Sequence, residues 1–164
     1  MKKSIILPLL SCICILSVIA MISALVISGN KTTHGSFVPP EFDSCAETGI
    51  PNVPDHLGYS EIYQEGMDFR VHICGKAMVT EQQAELFFTN DAENHVWMKL
   101  RLLDEKGNII GETGLIRPGE YIRMVKLCHT PSEESMIQMK VMAYEPDTYY
   151  SAGSVTLKTV IEIL

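Results

Sequence analysis

Basic residues are scarce in this chain: Lys and Arg number 13 against 20 Asp and Glu, giving a formal net charge of −7 over 164 residues. Lys2 and Lys3 precede a long uncharged stretch, so the chain beyond it carries 11 basic and 20 acidic residues, a net −9. A nucleic-acid-binding domain needs the opposite sign, and no nucleic-acid partner is expected. Cysteine is sparse too. Of five cysteines, Cys12 and Cys14 fall in the uncharged stretch, which leaves Cys45, Cys74 and Cys128. Three thiols cannot close a disulfide framework, so either one bridge and a free thiol or three free thiols remain, and the core must hold the domain. Catalytic motifs are missing: there is no nucleophile elbow, no phosphate-cradling glycine loop and no zinc-ligand spacing. Cys128-His129 with Arg123 supplies the residue types of a thiol transpeptidase, but sequence neighbours do not make a catalytic pair and the strand motif that should precede the cysteine is absent. A non-enzymatic protein without a cofactor is expected.

What the N-terminus does have is one long hydrophobic run. Ile5 to Ser28 is 24 residues without a charge, and about 20 apolar residues suffice to span the hydrocarbon core as a helix. Lys2 and Lys3 should stay cytoplasmic, which puts the C-terminal bulk outside the cell membrane as a single-pass, extracytoplasmic domain. The run is longer than the apolar core of a secretory signal, favouring an uncleaved signal anchor over residues 1–28. Val26-Ile27-Ser28 before Gly29 is the alternative, a cleavage context that would release a secreted protein. Leu9-Leu10-Ser11-Cys12 is a poor lipoprotein site, because the apolar run continues past the cysteine.

Residues 29–66 read as a linker. Asn30 to His34 is polar, and Pro39-Pro40, Pro51 and Pro54 disfavour helix and stiffen the chain. Its length would hold a domain away from the membrane, with Ile50 to Tyr63 able to pack on the domain edge.

From Phe69 onward the apolar pattern alternates with period two. Phe69, Val71 and Ile73 form one row; Ala84, Leu86 and Phe88 another; then Val96, Met98, Leu100 and Leu102; Ile137, Met139, Val141 and Ala143; and Val155, Leu157, Ile161 and Ile163. Turns fall at Asp104 to Asn108 and at Arg117 to Glu120. No helical period, internal repeat or low-complexity tract follows the N-terminal run. About seven short strands at regular spacing predict an all-β domain over residues 67–164, an Ig-like or fibronectin-III-like sandwich. The Cys…Trp…Cys signature of antibody domains is absent.

The stretches Phe87-Phe88-Thr89-Asn90, Val96-Trp97-Met98-Lys99-Leu100-Arg101-Leu102-Leu103-Asp104 and Gly111-Glu112-Thr113-Gly114-Leu115-Ile116-Arg117-Pro118-Gly119-Glu120 resemble a group of small clostridial and other Gram-positive membrane-anchored proteins. Their patterns are F-x-N-P, F-K-L-x-L and E-S-G-L-I-x-P-G, and the likeness extends over about residues 50–164. The resemblance implies an N-terminal anchor, a proline-containing linker and one Ig-like ectodomain. It implies no activity and carries over no functional residue. Asp91 stands where the group's pattern has Pro, a departure that bears on a turn.

Two binding surfaces are expected. If the strands of Trp97, Lys140 and Lys158 are neighbours, their outward side chains form a basic face with aromatic and apolar members: Trp97, Lys99 and Arg101; Gln138, Lys140, Met142 and Tyr144; and Thr156, Lys158, Val160 and Glu162, with Trp97, Lys99, Arg101, Lys140, Tyr144 and Lys158 as the expected contacts. Exposed aromatics and Arg are enriched at interfaces, and such a face suits a protein partner or an anionic wall polymer; an ordinary solvated face covered by Lys stems is the plain alternative. The second is the loop Glu145 to Gly153, where Tyr149 and Tyr150 could grip a glycan or peptide, or where one tyrosine packs back on the domain. The expected function is thus a non-catalytic binding or assembly module of the cell envelope. One alternative is a copper-handling domain using Met, His and Cys, for which His72 with Cys74, His95 with Met98 and Cys128 with His129 are the nearest donor pairs; none is a complete set, and no metal ligands are assigned. The other alternative is a structural spacer in an envelope complex.

Overall fold

A computed structural model describes residues 37–129 and 134–163. The segment read as a signal anchor lies outside the described residues, among which no helix is long and apolar enough to cross a membrane. One compact unit begins at Pro39.

The domain is all-β. Its strands are β1 (Glu47–Thr48), β2 (Tyr59–Ile62), β3 (Val71–Cys74), β4 (Lys76–Thr80), β5 (Gln83–Asn90), β6 (Trp97–Leu103), β7 (Ile109–Glu112), β8 (Glu120–Lys126), β9 (Ser135–Tyr144) and β10 (Ser151–Ile163), with one 3-10 turn at Asp55–Leu57. They form one continuous ten-stranded sheet in the order β1-β8-β5-β4-β10-β9-β6-β7, with β3 paired to β5 and β2 to β3. Neighbouring strands are antiparallel except β4 and β10. The sheet curls until its far strands touch: Gly111 bridges Leu127, and the Cys128 N–H donates to the Ile110 carbonyl at 2.7 Å. Glycine is required at that seam, because a Cβ on residue 111 would lie 2.8 Å from the Lys126 carbonyl oxygen.

The inward rows follow the alternation. Met98, Leu100 and Leu102 on β6 and Ile137, Met139, Val141 and Ala143 on β9 are buried, and with Phe88, Ile73, Ile122 and Ile161 they join a single core. Three rows depart from it. On β5, Phe87 is buried beside Leu86 and Phe88 because the strand bulges between Glu85 and Phe88, with Phe87 at φ 48°; such a bulge leaves consecutive side chains out of strict alternation. On β10, Ile163 reaches the surface, and the inward row includes Thr159, whose hydroxyl donates to the Gly75 carbonyl. On β3, Cys74 is buried although the alternation put it outward with His72.

The boundary of the linker also moves. Residues read as linker are part of the domain from Glu41 onward: the Leu115 N–H donates to the Glu41 carbonyl at 2.9 Å, and the Asp43 N–H to the Leu115 carbonyl at 2.8 Å. Phe42 thus lies parallel to Leu115 as a short strap. Beyond it β1 pairs β8, β2 pairs β3, and Leu57 is fully buried. Pro at 51 and 54 is compatible with this because the segments around them are short edge pieces.

A buried polar hub ties the loop after β5 to the rest. Asn90 donates from Nδ2 to the Val96 carbonyl (2.9 Å) and the Ile116 carbonyl (3.2 Å), and its Oδ1 accepts from Asn94 Nδ2 at 2.7 Å. Asn94 in turn accepts from the Arg70 N–H at 2.8 Å, fixing the entry to β3.

Candidate functional site

Strands β6, β9 and β10 are neighbours, and their outward residues share one surface. Trp97 sits opposite Tyr144, Lys99 opposite Met142 and Arg101 opposite Lys140 across the β6–β9 ladder. Lys140 is in turn opposite Thr156, and Gln138 opposite Lys158, across β9–β10. The face therefore brings together Trp97, Lys99, Arg101, Lys140, Tyr144 and Lys158.

The Tyr loop meets this face at Trp97. Tyr149 packs edge-on against Trp97, ring centroids 5.2 Å apart, while Tyr150 remains 75% exposed. The loop is held by the Glu145 N–H donating to Tyr150 O (2.8 Å) and the Tyr149 N–H donating to Glu145 O (3.0 Å), with Asp147 and Tyr149 both in the left-handed region. Non-glycine residues there cost of order 1 kcal/mol or more and persist where surroundings fix them. On its other side Trp97 meets Phe42 edge-on at 4.8 Å, and the Arg117 guanidinium lies 3.7 Å above the Phe42 ring. The loop and the sheet face, two surfaces in the sequence, form one: a column of Arg117, Phe42, Trp97 and Tyr149 beside Tyr144. Phe42 and Arg117 were not among the expected site residues.

Charge on the face is partly answered from β7. Glu112 accepts from Lys99 Nζ at 3.1 Å and from Arg101 at 3.0 Å. Burial pushes the Glu112 carboxyl up, but the hydrogen bonds from Lys99 and Arg101 and their charges outweigh it, and the net shift is downward. Lys140 and Lys158 have no carboxylate partner among the described residues. Arg101 and Lys140 directly face each other across the ladder, an arrangement of like charges that is unfavourable by itself. Glu162, on the same phase of β10 as Lys158, is taken up by Lys76 at 2.6 Å, so Lys99, Arg101, Lys140 and Lys158 face the carboxylates of Glu112 and Glu162 and leave a net cationic surface on an acidic domain.

No family model matches the chain, and no curated protein matches it.

Two of the donor pairs weighed for copper are divided between core and surface. Met98 is in the core while His95 is exposed, and Cys74 is fully buried while His72 is half-buried and engaged by Asp91 at 3.0 Å. Among the described residues no three His, Cys, Asp or Glu side chains converge on a metal position. Arg123 is held by Glu85 at 2.8 Å. Cys45, Cys74 and Cys128 are all free thiols. Burial, with the Glu85 charge behind it, pushes the Cys74 thiol up to about 12, so little thiolate exists there at neutral pH. A maleimide reagent applied to the native full chain should therefore label the exposed Cys45 and Cys128 and spare Cys74, which should react only after denaturation. Labelling of Cys74 at the rate of Cys128 would contradict this burial.

A second concavity escaped the sequence reading. A cleft of ≈ 600 Å³ is bounded by Thr48 to Pro51, Tyr59, His72 and the loop Asn90 to Glu93. Asp91 fixes that loop by accepting from the Glu93 N–H at 2.8 Å, and it also holds His72 Nε2. These two contacts, the backbone one first, hold its carboxyl below the usual range. Asp91 thus shapes a turn, as expected, and also orients a histidine. The Tyr59 ring stacks on His72 at 5.8 Å, and its hydroxyl donates to Thr89 Oγ1 at 2.7 Å. His72 and Asp91 are 19 residues apart, and only the β3–β5 register brings them together.

Proposed function

We propose that this protein is a non-catalytic, membrane-anchored binding module of the cell envelope, whose extracytoplasmic domain docks an anionic, extended partner on the β6–β9–β10 face. The observation that carries the reading is the joining of the Trp97–Tyr149 stack to a cationic face on an otherwise acidic domain. Lys140 faces Arg101 and has no acid partner among the described residues, so a negatively charged ligand would relieve a repulsion already present. The half-buried aromatic column supplies a rigid apolar anchor beside that charge.

An Ig-like assignment is supported by strand order. The run β10-β9-β6-β7 corresponds to the G-F-C-C′ sheet of a variable-type immunoglobulin domain, and β8-β5-β3 to part of the opposing sheet. Anchoring is supported by the 24 uncharged residues from Ile5 to Ser28 after Lys2 and Lys3. The tether would be shorter than a linker reaching residue 66. Between Ser28 and the hydrogen-bonded Glu41 lie the residues 29–40, which span at most about 40 Å when fully extended. The partner would therefore be met close to the membrane.

The test uses the full chain reconstituted in vesicles and two polyanionic probes, poly(glycerol phosphate) for a wall polymer and poly-L-glutamate for an acidic protein segment. At least one should bind, and binding should weaken as salt rises. The double variant Lys140→Glu, Lys158→Glu should lose about tenfold or more in affinity, and Trp97→Ala should lose a comparable amount. Unchanged binding in both variants would remove this face from the account.

A further inference from the structure

The Tyr59–His72–Asp91 cleft lies on β2, β3 and the loop after β5, away from the cationic face, and nothing in the binding role above uses it. Its volume, ≈ 600 Å³, falls in the range of small-ligand sites. Its walls are of two kinds. Ile50, Pro51 and Ala92 give an apolar side, together with the ring of Tyr59. The polar side is made mostly of acceptors. An ionised Asp91 can only accept, so His72 carries its proton on Nε2, and in the neutral ring Nδ1 is a lone pair. No hydrogen bond engages Nδ1 among the described residues. The Tyr59 hydroxyl spends its proton on Thr89, which leaves its oxygen free to accept. The lining cation, Arg70, is already bonded to Glu93 at 2.8 Å and approached by Glu61 at 3.9 Å. An anion would meet the carboxylates of Asp91 and Glu93, with no uncommitted positive charge to offset them.

A group that complements acceptors over an apolar wall must donate several hydrogen bonds, carry positive charge and have a hydrocarbon body. An alkylammonium does all three: it has three donors, and aromatic faces such as Tyr59 attract it. We propose that this cleft binds a primary ammonium carried on an aliphatic stem, with His72 Nδ1 and the Asp91 side as its polar contacts and Ile50 and Pro51 against the stem. The same chemistry is offered by a free alkylamine and by a lysine side chain of a peptide.

The test is a titration of the full chain in detergent micelles, followed through the ring resonances of His72 and Tyr59. The probes are 1-aminopentane, 1-pentanol, pentanoate and the blocked peptide Ala-Lys-Ala. The amine should bind at least tenfold more tightly than pentanol or pentanoate, which match its stem but not its head. Stronger binding of the peptide than of the amine would point to a protein source, and the reverse to a small molecule. In His72→Phe, which keeps a ring of similar size, and in Asp91→Asn, the preference for amine over pentanol should fall by about tenfold. Equal binding of amine and pentanol by the unaltered chain would overturn the proposal, as would a preference that survives both substitutions. The pentanol comparison needs no variant, so it stands even if a substitution impairs folding. Failure here would leave the Lys140 and Lys158 test untouched, since no residue is shared.

Discussion

Replacing Asn90 with Leu should lower the unfolding free energy by about 3 kcal/mol, although the two side chains share the same branched heavy-atom skeleton. Asn90 is fully buried and makes three side-chain hydrogen bonds, to Val96 O, Ile116 O and Asn94 Nδ2. The Ile116 carbonyl would keep the Met98 N–H as donor at 3.0 Å. The Val96 carbonyl and one Asn94 proton would lose their partner in a dry site, and each buried orphan costs about 1–3 kcal/mol. Asn94 also positions Arg70 at the entry to β3, so the loss should propagate to β2 and β3 while leaving the β6–β9 ladder in place. Urea denaturation of the full chain in detergent, read by circular dichroism, measures the total. Asn94→Ala should cost a comparable amount, about 2–3 kcal/mol, because it leaves the buried Asn90 Oδ1 and both the N–H and the carbonyl of Arg70 without their partner. A loss below about 1 kcal/mol in Asn90→Leu would mean that the hub does not hold this loop.

Gly114→Val should destabilise by about 2–4 kcal/mol and detach the strap that carries Phe42. A Cβ at residue 114 would lie 2.6 Å from the Asp43 nitrogen, 2.7 Å from its Cα and 2.9 Å from the Glu41 oxygen. All three are backbone atoms, so no side chain can swing aside. The strap must move, and with it go the Leu115–Glu41 and Asp43–Leu115 hydrogen bonds and the 2.7 Å bond from the Gly114 N–H to Asp43 Oδ2. Phe42 would then leave Trp97. The chain has one tryptophan, so its fluorescence reports this event directly, and Gly114→Val should shift the emission to the red. Phe42→Ala should reproduce the spectral shift with a smaller stability loss. An unshifted spectrum in both variants would show that the strap does not cover Trp97.

How much of this was legible in the sequence depended on where the information lay. The rows Met98–Leu102 and Ile137–Ala143 were readable because each strand buries one face, and period two is then imposed by the core. The neighbour relation of β6, β9 and β10 came from the expected sandwich order, and it gathers Trp97, Lys99, Arg101, Lys140, Tyr144 and Lys158. The strap and β1 were not readable. Glu47–Thr48 is a two-residue strand with both side chains exposed, so no apolar pattern marks it. Phe42 is a single aromatic among prolines and acidic residues, and its role depends on Gly114, 72 residues away. Glu112 was hidden by a bulge. Counting outward from the Asp104–Asn108 turn would place Gly111 opposite Arg101, but the register shifts by one between Leu102 and Leu103, and Glu112 takes that place. A one-residue slip exchanges the two faces of a strand, and here it sets a carboxylate between Lys99 and Arg101. The His72–Asp91 pair was invisible for the same kind of reason: it depends on which strands meet, which alternation alone does not specify.

The measurement that tests the binding role most directly is site-specific photo-cross-linking in the cells that make the protein. A photoreactive residue placed at Lys158, on the cationic face, should give a discrete cross-linked species or a polymer smear. One placed at Glu105, on the β6–β7 turn, should not. Adding Trp97→Ala and Lys140→Glu should abolish the product at position 158 while the protein remains at its normal level. Equal cross-linking from positions 158 and 105, or a product at 158 unaffected by those substitutions, would contradict the assignment of this face as the docking surface.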